Sequence, residues 1–357
     1  MSLVKLSDVV KRANTKEDRF NTNLVYYVGG EHIESNNALI TERGLIKGST
    51  IGPMFYFGFK KDDVLLVSRN PHLRKAGRVT FDGICSEKTF VLETIDQSIL
   101  SQDYLPFIFQ SDHFWDYAEA HKSGSVNFFL NWSSLANYEF NLPTIEEQKE
   151  LAETLWQIVA TMESYKKLLA KTDEMVKAKF VEMFGTIDNS LFNTTKWKTV
   201  LQVKNGKDTK ERYDDGVYPI YGSGGIMGRT NEYLCTENSV IIGRKGTIDK
   251  PLLIKEKYWN VDTAFGLIPN DKLNFLYLYW FCLQFDFIRI SKSAVLPSLT
   301  KTDLENIDIP LPPIKLQNQF AEFVERAEES KSAIQASLDS LTKVYKKIIA
   351  EHLGGNN

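Results

Sequence analysis

Two stretches of this chain match each other at long range. LPTIEEQKELAETLW, from Leu142, aligns with LPPIKLQNQFAEFVE, from Leu311, at an offset of 169 residues. The alignment runs without a gap to Gly185 and Gly354. It holds ten identities in 44 positions, among them Leu142/Leu311, Pro143/Pro312, Ile145/Ile314, Gln148/Gln317 and Leu169/Leu338. Self-similarity at a fixed offset is the mark of a duplicated unit. The 357 residues hold two such units with short extensions.

Both segments predict long helices. Each opens on a proline-containing entry and ends at glycine, the usual residue just past a helix C-terminus. At ~1.5 Å per residue, about 40 residues make a rod of ~60 Å. The apolar phase of the first runs Leu151, Leu155, Ile158, Met162, Tyr165, Leu169, then Thr172 and Val176. That of the second runs Phe320, Val324, Ala327, Lys331, Ile334, Leu338, Leu341, Tyr345. Alternating steps of four and three are the period of a coiled-coil seam. Such a narrow stripe suits another helix better than a broad sheet, although two helices packed on domain cores is the plainer alternative. Lys331 and Thr172 are the seam exceptions. If the helices pair within the chain, an antiparallel arrangement lets residues 186–310 form a domain with neighbouring ends. The expectation is a pseudo-twofold dumbbell of fold class α+β. Two mixed globules, 1–141 and 186–310, are separated by two long antiparallel coiled-coil helices, 142–185 and 311–357.

The globules carry short aromatic and β-branched runs such as PMFYFGF, DVLLVSRN, VYPIYGSGGIMG and NSVIIGRKG. These predict strands. Each globule then turns helical, through SDHFWDYAEAHK and LNFLYLYWFCLQ. The order matches in the two halves: a strand ending in a basic turn, further strands, an aromatic helix, a Ser-rich turn, then the LPxI helix.

Composition limits the function classes. A hydrophobic content of 43% with 25% charged residues is globular. A net charge of −3 argues against a generally basic nucleic-acid coat but allows local basic faces. No apolar run approaches the ~18 residues of a membrane span. The N-terminal MSLVKLSDVVKRANTKEDRF lacks a secretory core, so a cytoplasmic setting is expected. Cys85, Cys235 and Cys282 are scattered and predict buried reduced thiols, with no metal site. The sequence has no GxxxxGK[ST]. The Pro-Pro pair at Pro312 lacks the acidic or amide residue before it and the aromatic after it that an amino-methyltransferase loop needs. No catalytic residues are expected.

The chain resembles the specificity subunit of type I restriction-modification systems. The resemblance is carried by YPIYGSGGIMG (218–228), SVIIGRKGTID (239–249), TAFGL (263–267) and the paired exits EFNLPTIEEQKELAETL and IDIPLPPIKLQNQFAEFVE. It covers essentially the whole chain. There are departures: the first globule lacks a GSGG-type segment, and its basic turn is SRNPHLRKAGR instead of GRKG. The resemblance implies two target-recognition domains, reading the two halves of a bipartite asymmetric double-stranded DNA target, and helices that fix the spacer. It implies two modification (methyltransferase) subunits and restriction/translocase subunits as partners. S-adenosylmethionine, ATP and Mg2+ belong on those partners, and no cofactor on this chain. A specificity subunit of a type IIB-like system and a non-DNA coiled-coil scaffold are the competing readings.

Phosphate contacts need Lys and Arg on loops, and base readout favours Arg, Lys, Asn and Gln. In the first globule the candidates are Arg69, Asn70, Arg74, Lys75 and Arg78, with Lys60 and Lys61 joining them. In the second they are Lys207, Lys210, Arg212, Ser223 in its glycine turn, Arg229, and Arg244 with Lys245. Ser298, Thr300 and Lys301 are further candidates for the backbone. Acidic residues collect at the helix starts, Glu146, Glu147, Glu150 and Glu153 in the first and Glu322, Glu325, Glu328 and Glu329 in the second. There they suit the helix dipole. Positive loops are expected to segregate from them, giving weak, steeply salt-dependent DNA binding by the chain alone.

Overall fold

The computed structural model describes residues 2–208, 212–291 and 297–354. The chain forms two compact units, one of residues 1–166 with 336–357 and one of residues 167–335. The divisions fall inside the two long helices, Ile145–Phe184 and Ile314–Leu353, each of 40 residues.

In the first unit, Ser2–Lys5 pairs antiparallel with Glu139–Leu142. A five-stranded sheet follows the order Val10–Ala13, Thr89–Thr94, Val64–Val67, Ala76–Val79, Leu39–Ile40. A second, four-stranded sheet runs Gly44–Leu45, Tyr26–Val28, Gly83–Ser86, Phe55–Phe59, with Tyr26–Val28 and Gly83–Ser86 parallel. The second unit repeats this plan. Thr194–Lys196 pairs with Asp308–Pro310. A four-stranded sheet runs Leu201–Asn205, Ala264–Pro269, Ser239–Gly243, Leu252–Ile254. A three-stranded sheet runs Gly225–Thr230, Tyr218–Gly222, Trp259–Asn260, the last pair parallel.

The departure noted in the sequence has a structural counterpart. In the second unit a two-residue turn, Ser223–Gly224, joins Tyr218–Gly222 to Gly225–Thr230. Between the corresponding strands of the first unit lie residues 29–43. They include a 3-10 turn, Gly30–His32, and the strand Leu39–Ile40, which crosses to the other sheet.

The aromatic segments fold as predicted, with Asp112–Ala120 in the first unit and Phe275–Gln284 in the second. Each unit's main core lies between these helices, its larger sheet and one end of each long helix. In the first, Leu155 and Val159 cluster with Tyr345 and Ile349. In the second, Val176, Phe180 and Phe184 cluster with Phe320, Val324 and Ala327. Within each unit the late part of one helix therefore meets the early part of the other, so the pairing is antiparallel. The second helix uses its predicted seam: Phe320, Val324, Ala327, Leu338 and Tyr345 are buried. Ile334 and Leu341 are half-buried. In the first helix Leu155 is buried, while Leu151, Ile158, Met162, Tyr165 and Leu169 are half-buried. Ala152 and Val159, off the predicted stripe, are buried as well because this stretch also faces the first unit's globule. Thr172 is buried and returns its hydroxyl to the Leu168 carbonyl at 2.8 Å. Lys331 bonds Asp173 at 2.7 Å and Glu328 at 3.1 Å. Partial burial opposes its charge, but these carboxylates outweigh that and its pKa is raised.

The repeated LPxIxxQ motif has a mechanical reason. Gln148 is fully buried, and its amide nitrogen donates to the carbonyls of Ile99 and Pro143, both at 2.9 Å. Its oxygen accepts from the Ser101 N–H at 2.9 Å. Gln317, equally buried, donates to Lys272 at 3.1 Å and Pro312 at 2.8 Å, and accepts from the Asn274 N–H at 2.8 Å. One side chain thus ties the helix entry to the loop that precedes the helix Leu105–Ile108 in the first unit and Phe275–Gln284 in the second. At the first entry Thr144 and Glu147 form a capping box, with the Thr144 N–H 2.9 Å from the Glu147 carboxylate. That bond holds the Glu147 pKa below its usual range. At the far end Gly185 takes the left-handed turn expected of it, φ +82°. Gly354 instead closes through its N–H to the Ala350 carbonyl at 3.2 Å.

Replacing Gln148 or Gln317 with Ala removes the side-chain partner of three backbone groups that are buried or part-buried. Each change is expected to cost about 2–4 kcal/mol in chemical denaturation. Glu146→Ala, on the exposed face of the same turn, is expected to stay within about 0.5 kcal/mol.

Candidate nucleic-acid interface

In the second unit several loops meet at one edge of the two sheets. The strands Leu201–Asn205, Tyr218–Gly222 and Ser239–Gly243 all end there, and Ala264–Pro269 begins there. The joins are backbone hydrogen bonds: Lys207 N–H to Asn260 (3.0 Å), Val261 N–H to Tyr221 (2.9 Å) and Arg244 N–H to Thr263 (2.7 Å). The Trp259 indole N–H donates to the Lys207 carbonyl at 2.7 Å. A Cβ on Gly243 would sit 3.1 Å from that of Ser223, so the glycine hairpin abuts the GRKG turn. The GRKG turn itself relies on Gly246, whose φ is +75°. Its far side is held by residues 297–299: Lys245 bridges Ser298, and the Leu299 N–H bonds the Arg244 carbonyl at 3.0 Å. Lys207, Ser223, Arg244, Lys245 and Ser298 thus share one edge. The side chains of Lys207, Arg244 and Lys245 are exposed. The Arg244 guanidinium lies 5.8 Å from the Phe265 ring centroid.

Other candidates in this unit have internal work. Arg229 donates to the carbonyls of Gly216 (2.5 Å) and Val217 (2.8 Å), pinning the loop before its hairpin. Thr300 caps the helix Lys301–Glu305 through Asp303, and Lys301 lies 3.5 Å from Glu305. Arg212 is exposed on the loop facing Gly228, and Lys210 lies outside the described residues.

The first unit builds the same junction. Ser68 donates to the Lys88 carbonyl at 2.8 Å, Arg69 bridges Phe129, and the Leu130 N–H bonds the Ser68 carbonyl at 2.8 Å. Arg69 therefore occupies the place of Lys245. Asn70 beside it is in the left-handed region, φ 52°, which Asn tolerates. Its N–H bonds the Phe128 carbonyl at 2.9 Å. Arg74 and Lys75 lie on the same turn but are engaged: Arg74 pairs with Asp112, and Lys75 donates to the Gly30 carbonyl at 2.5 Å. Arg74 holds φ 51°, uncommon for a bulky residue.

Lys60, Lys61 and Arg78 are not brought to this edge. They sit at the opposite end of the strand Val64–Val67, where Arg78 pairs with Val64. Four residues at ~3.3 Å each separate the two ends. Arg78 stacks on Trp156, 3.7 Å from its ring centroid, and binds Asp103 at 2.5 Å. The main-chain N–H groups of Lys60 and Lys61 bond Asp63 and Asp82, both at 2.7 Å. Burial pushes the Asp63 carboxyl up to about 6, against the downward pull of the Lys60 N–H.

Sequence reasoning missed Lys88, whose carbonyl anchors Ser68 and whose ammonium pairs with Glu87 at 2.8 Å. It also missed the exposed Ile226 and Met227 on the glycine hairpin. The available signal was two apolar residues directly after GSGG. All three cysteines are buried and unpaired, and burial raises the Cys235 thiol to about 11. Among the described residues no helix is long and apolar enough to cross a membrane, and no three His, Cys, Asp or Glu gather as a metal site would need.

Two α+β units alternating with two long helices are the arrangement that the resemblance implies. The family of type I restriction modification DNA specificity domains matches residues 2–172 and 189–342. The chain belongs to that family. It is a DNA specificity subunit, the non-catalytic member of a restriction-modification system. The match favours neither the type IIB-like reading nor the non-DNA scaffold. Solved structures share the fold. A type I restriction-modification system S subunit from M. genitalium is 16% identical with a TM-score of 0.67, over 100% of this chain and 96% of its own. A chain from work on complex assembly and conformational transition of the type I R-M system is 18% identical with a TM-score of 0.57, over 100% and 98%.

The geometry separates exposed cations at the sheet edge from cations bound within the fold. Arg244→Ala and Lys245→Ala should each lower the slope of log affinity for DNA against log salt by up to about 1. Both variants should keep the wild-type melting temperature. Arg78→Ala and Arg229→Ala should lower the melting temperature instead.

Proposed function

We propose that this specificity subunit reads a bipartite, asymmetric double-stranded DNA target, one half through each unit. The observation that carries this reading is the duplicated junction, in which Arg69 and Lys245 hold equivalent places at the ends of equivalent strands. Their surroundings differ, with a two-residue hairpin turn in one unit and residues 29–43 in the other. Equivalent placement with different surfaces suits two readers of different base sequences. In this reading residues 1–141 and 186–310 are target-recognition domains, and residues 142–185 and 311–357 are the spacer.

The DNA-contacting set is centred on Arg69 and Asn70 in the first unit and on Lys207, Ser223, Arg244 and Lys245 in the second. Arg212 is a further phosphate contact. Arg74, Lys75, Arg78 and Arg229 shape the reading loops through their internal bonds. The chain also scaffolds two methyltransferase subunits and, with them, the restriction/translocase subunits, in a prokaryotic cytoplasm. S-adenosylmethionine, ATP and Mg2+ are held by those partners, which supply the chemistry.

Co-expression with candidate methyltransferase subunits, followed by mapping of methylated adenines, tests the proposal. The expected motif is two short specific halves around an unspecified spacer. A single continuous motif, or methylation that does not depend on this chain, overturns it.

A further inference from the structure

The hairpin of the second unit carries an apolar pair that the fold does not use. Ile226 is 61% exposed and Met227 is 52% exposed, side by side on the strand Gly225–Thr230. Met227 is the extra residue of a β-bulge, since Ile226 pairs with Tyr221 and Gly228 with Ile220. The regular alternation of a strand is interrupted there, and the two apolar side chains stand together on the bulged strand, both exposed. The tip is also thin. Gly224 and Gly225 have nothing within 4 Å of where a Cβ would be, and Gly225 holds φ +125°. Met227 lies back across the ribbon, its sulfur 2.5 Å from where a Gly222 Cβ would be.

The tip differs in charge from its surroundings. Residues 223–228, Ser-Gly-Gly-Ile-Met-Gly, hold no ionisable group. Beside them, across the Ser223–Gly243 contact, stand the exposed Arg244 and Lys245. A neutral apolar tip gains nothing from phosphate, whereas the cations next to it do. A two-stranded ribbon fits the major groove, and the one apolar group that base edges offer there is the thymine C5-methyl.

We propose that the tip of the 218–230 hairpin enters the major groove and that Ile226 and Met227 close on a thymine methyl in the half-site read by the second unit. This rests on the reading of that unit as a DNA reader. Arg244 and Lys245 hold the flanking phosphates, Ser223 and the glycines keep the tip narrow, and the apolar pair makes the half-site thymine-dependent.

The test uses the full chain assembled with its methyltransferase subunits and duplexes carrying the mapped target. Each thymine, on either strand, is replaced singly by deoxyuridine, which removes only the methyl. One replacement in the second unit's half-site should weaken binding about fourfold, the weight of one buried methyl. An I226A/M227A chain should bind the thymine and deoxyuridine duplexes alike at that position, with unchanged salt dependence and melting temperature. The proposal is overturned if that half-site holds no thymine, if no replacement matters, or if the variant keeps the wild-type discrimination. Failure of the underlying interface reading looks different: an R244A/K245A chain would then keep wild-type affinity and salt slope.

Discussion

A buried side-chain amide at the start of a long helix organises each half of this molecule. A glutamine taken fully out of water must satisfy its donors and its acceptor or cost several kcal/mol. Gln148 and Gln317 do so with backbone alone, two carbonyls and one N–H each. The partners come from the helix entry and from a loop of the globule, 99–101 in one unit and 272–274 in the other, so the amide fixes where the helix leaves its globule. Once that exit is set, the apolar stripe of each helix is aimed, and the antiparallel pairing inside each unit follows. The ion pair of Lys331 with Asp173 and the buried hydroxyl of Thr172 occupy the seam where an apolar side chain would be expected.

The basic edge depends on the same frame. The segment that supports Arg69 or Lys245 is the short stretch before the last small helix and the helix entry, 128–130 in one unit and 297–299 in the other. A turn bearing exposed cations has little to hold it in place by itself. Here the neighbouring strand and this returning segment bond its backbone from both sides, while the side chains of Arg69, Arg244 and Lys245 stay exposed. Net charge is a poor guide to such a protein. Glu147 serves a cap and other acids pair with internal cations, while Arg69 in one unit and Lys207, Arg244 and Lys245 in the other stand exposed at the ends of the strands.

Much of this was legible in the sequence. The 169-residue offset, the 3.5-residue stripe and the proline and glycine that bound the helices point to both rods, Ile145–Phe184 and Ile314–Leu353. The equivalence of the two basic turns was visible from their order along the chain. What could not be read was which cations are spent. Arg78 looked like part of one loop cluster with Arg69, because sequence distance hides the strand that carries it to the far end of the sheet. Its stack on Trp156 and bond to Asp103 join residues far apart in the chain. The internal role of Arg229, named among the candidate contacts, was hidden for the opposite reason, since its partners are backbone carbonyls that leave no residue signature. The glutamines stood out as identities, but only the fold gives them a role.

The central claim is that two duplicated units each read one half of a DNA target. Exchanging residues 1–141 for the matching segment of another specificity chain, then mapping methylated adenines in the reassembled complex, tests it most directly. The account predicts that one half of the motif changes while the other half and the spacer length stay as they were. A change in both halves, or in neither, would contradict it.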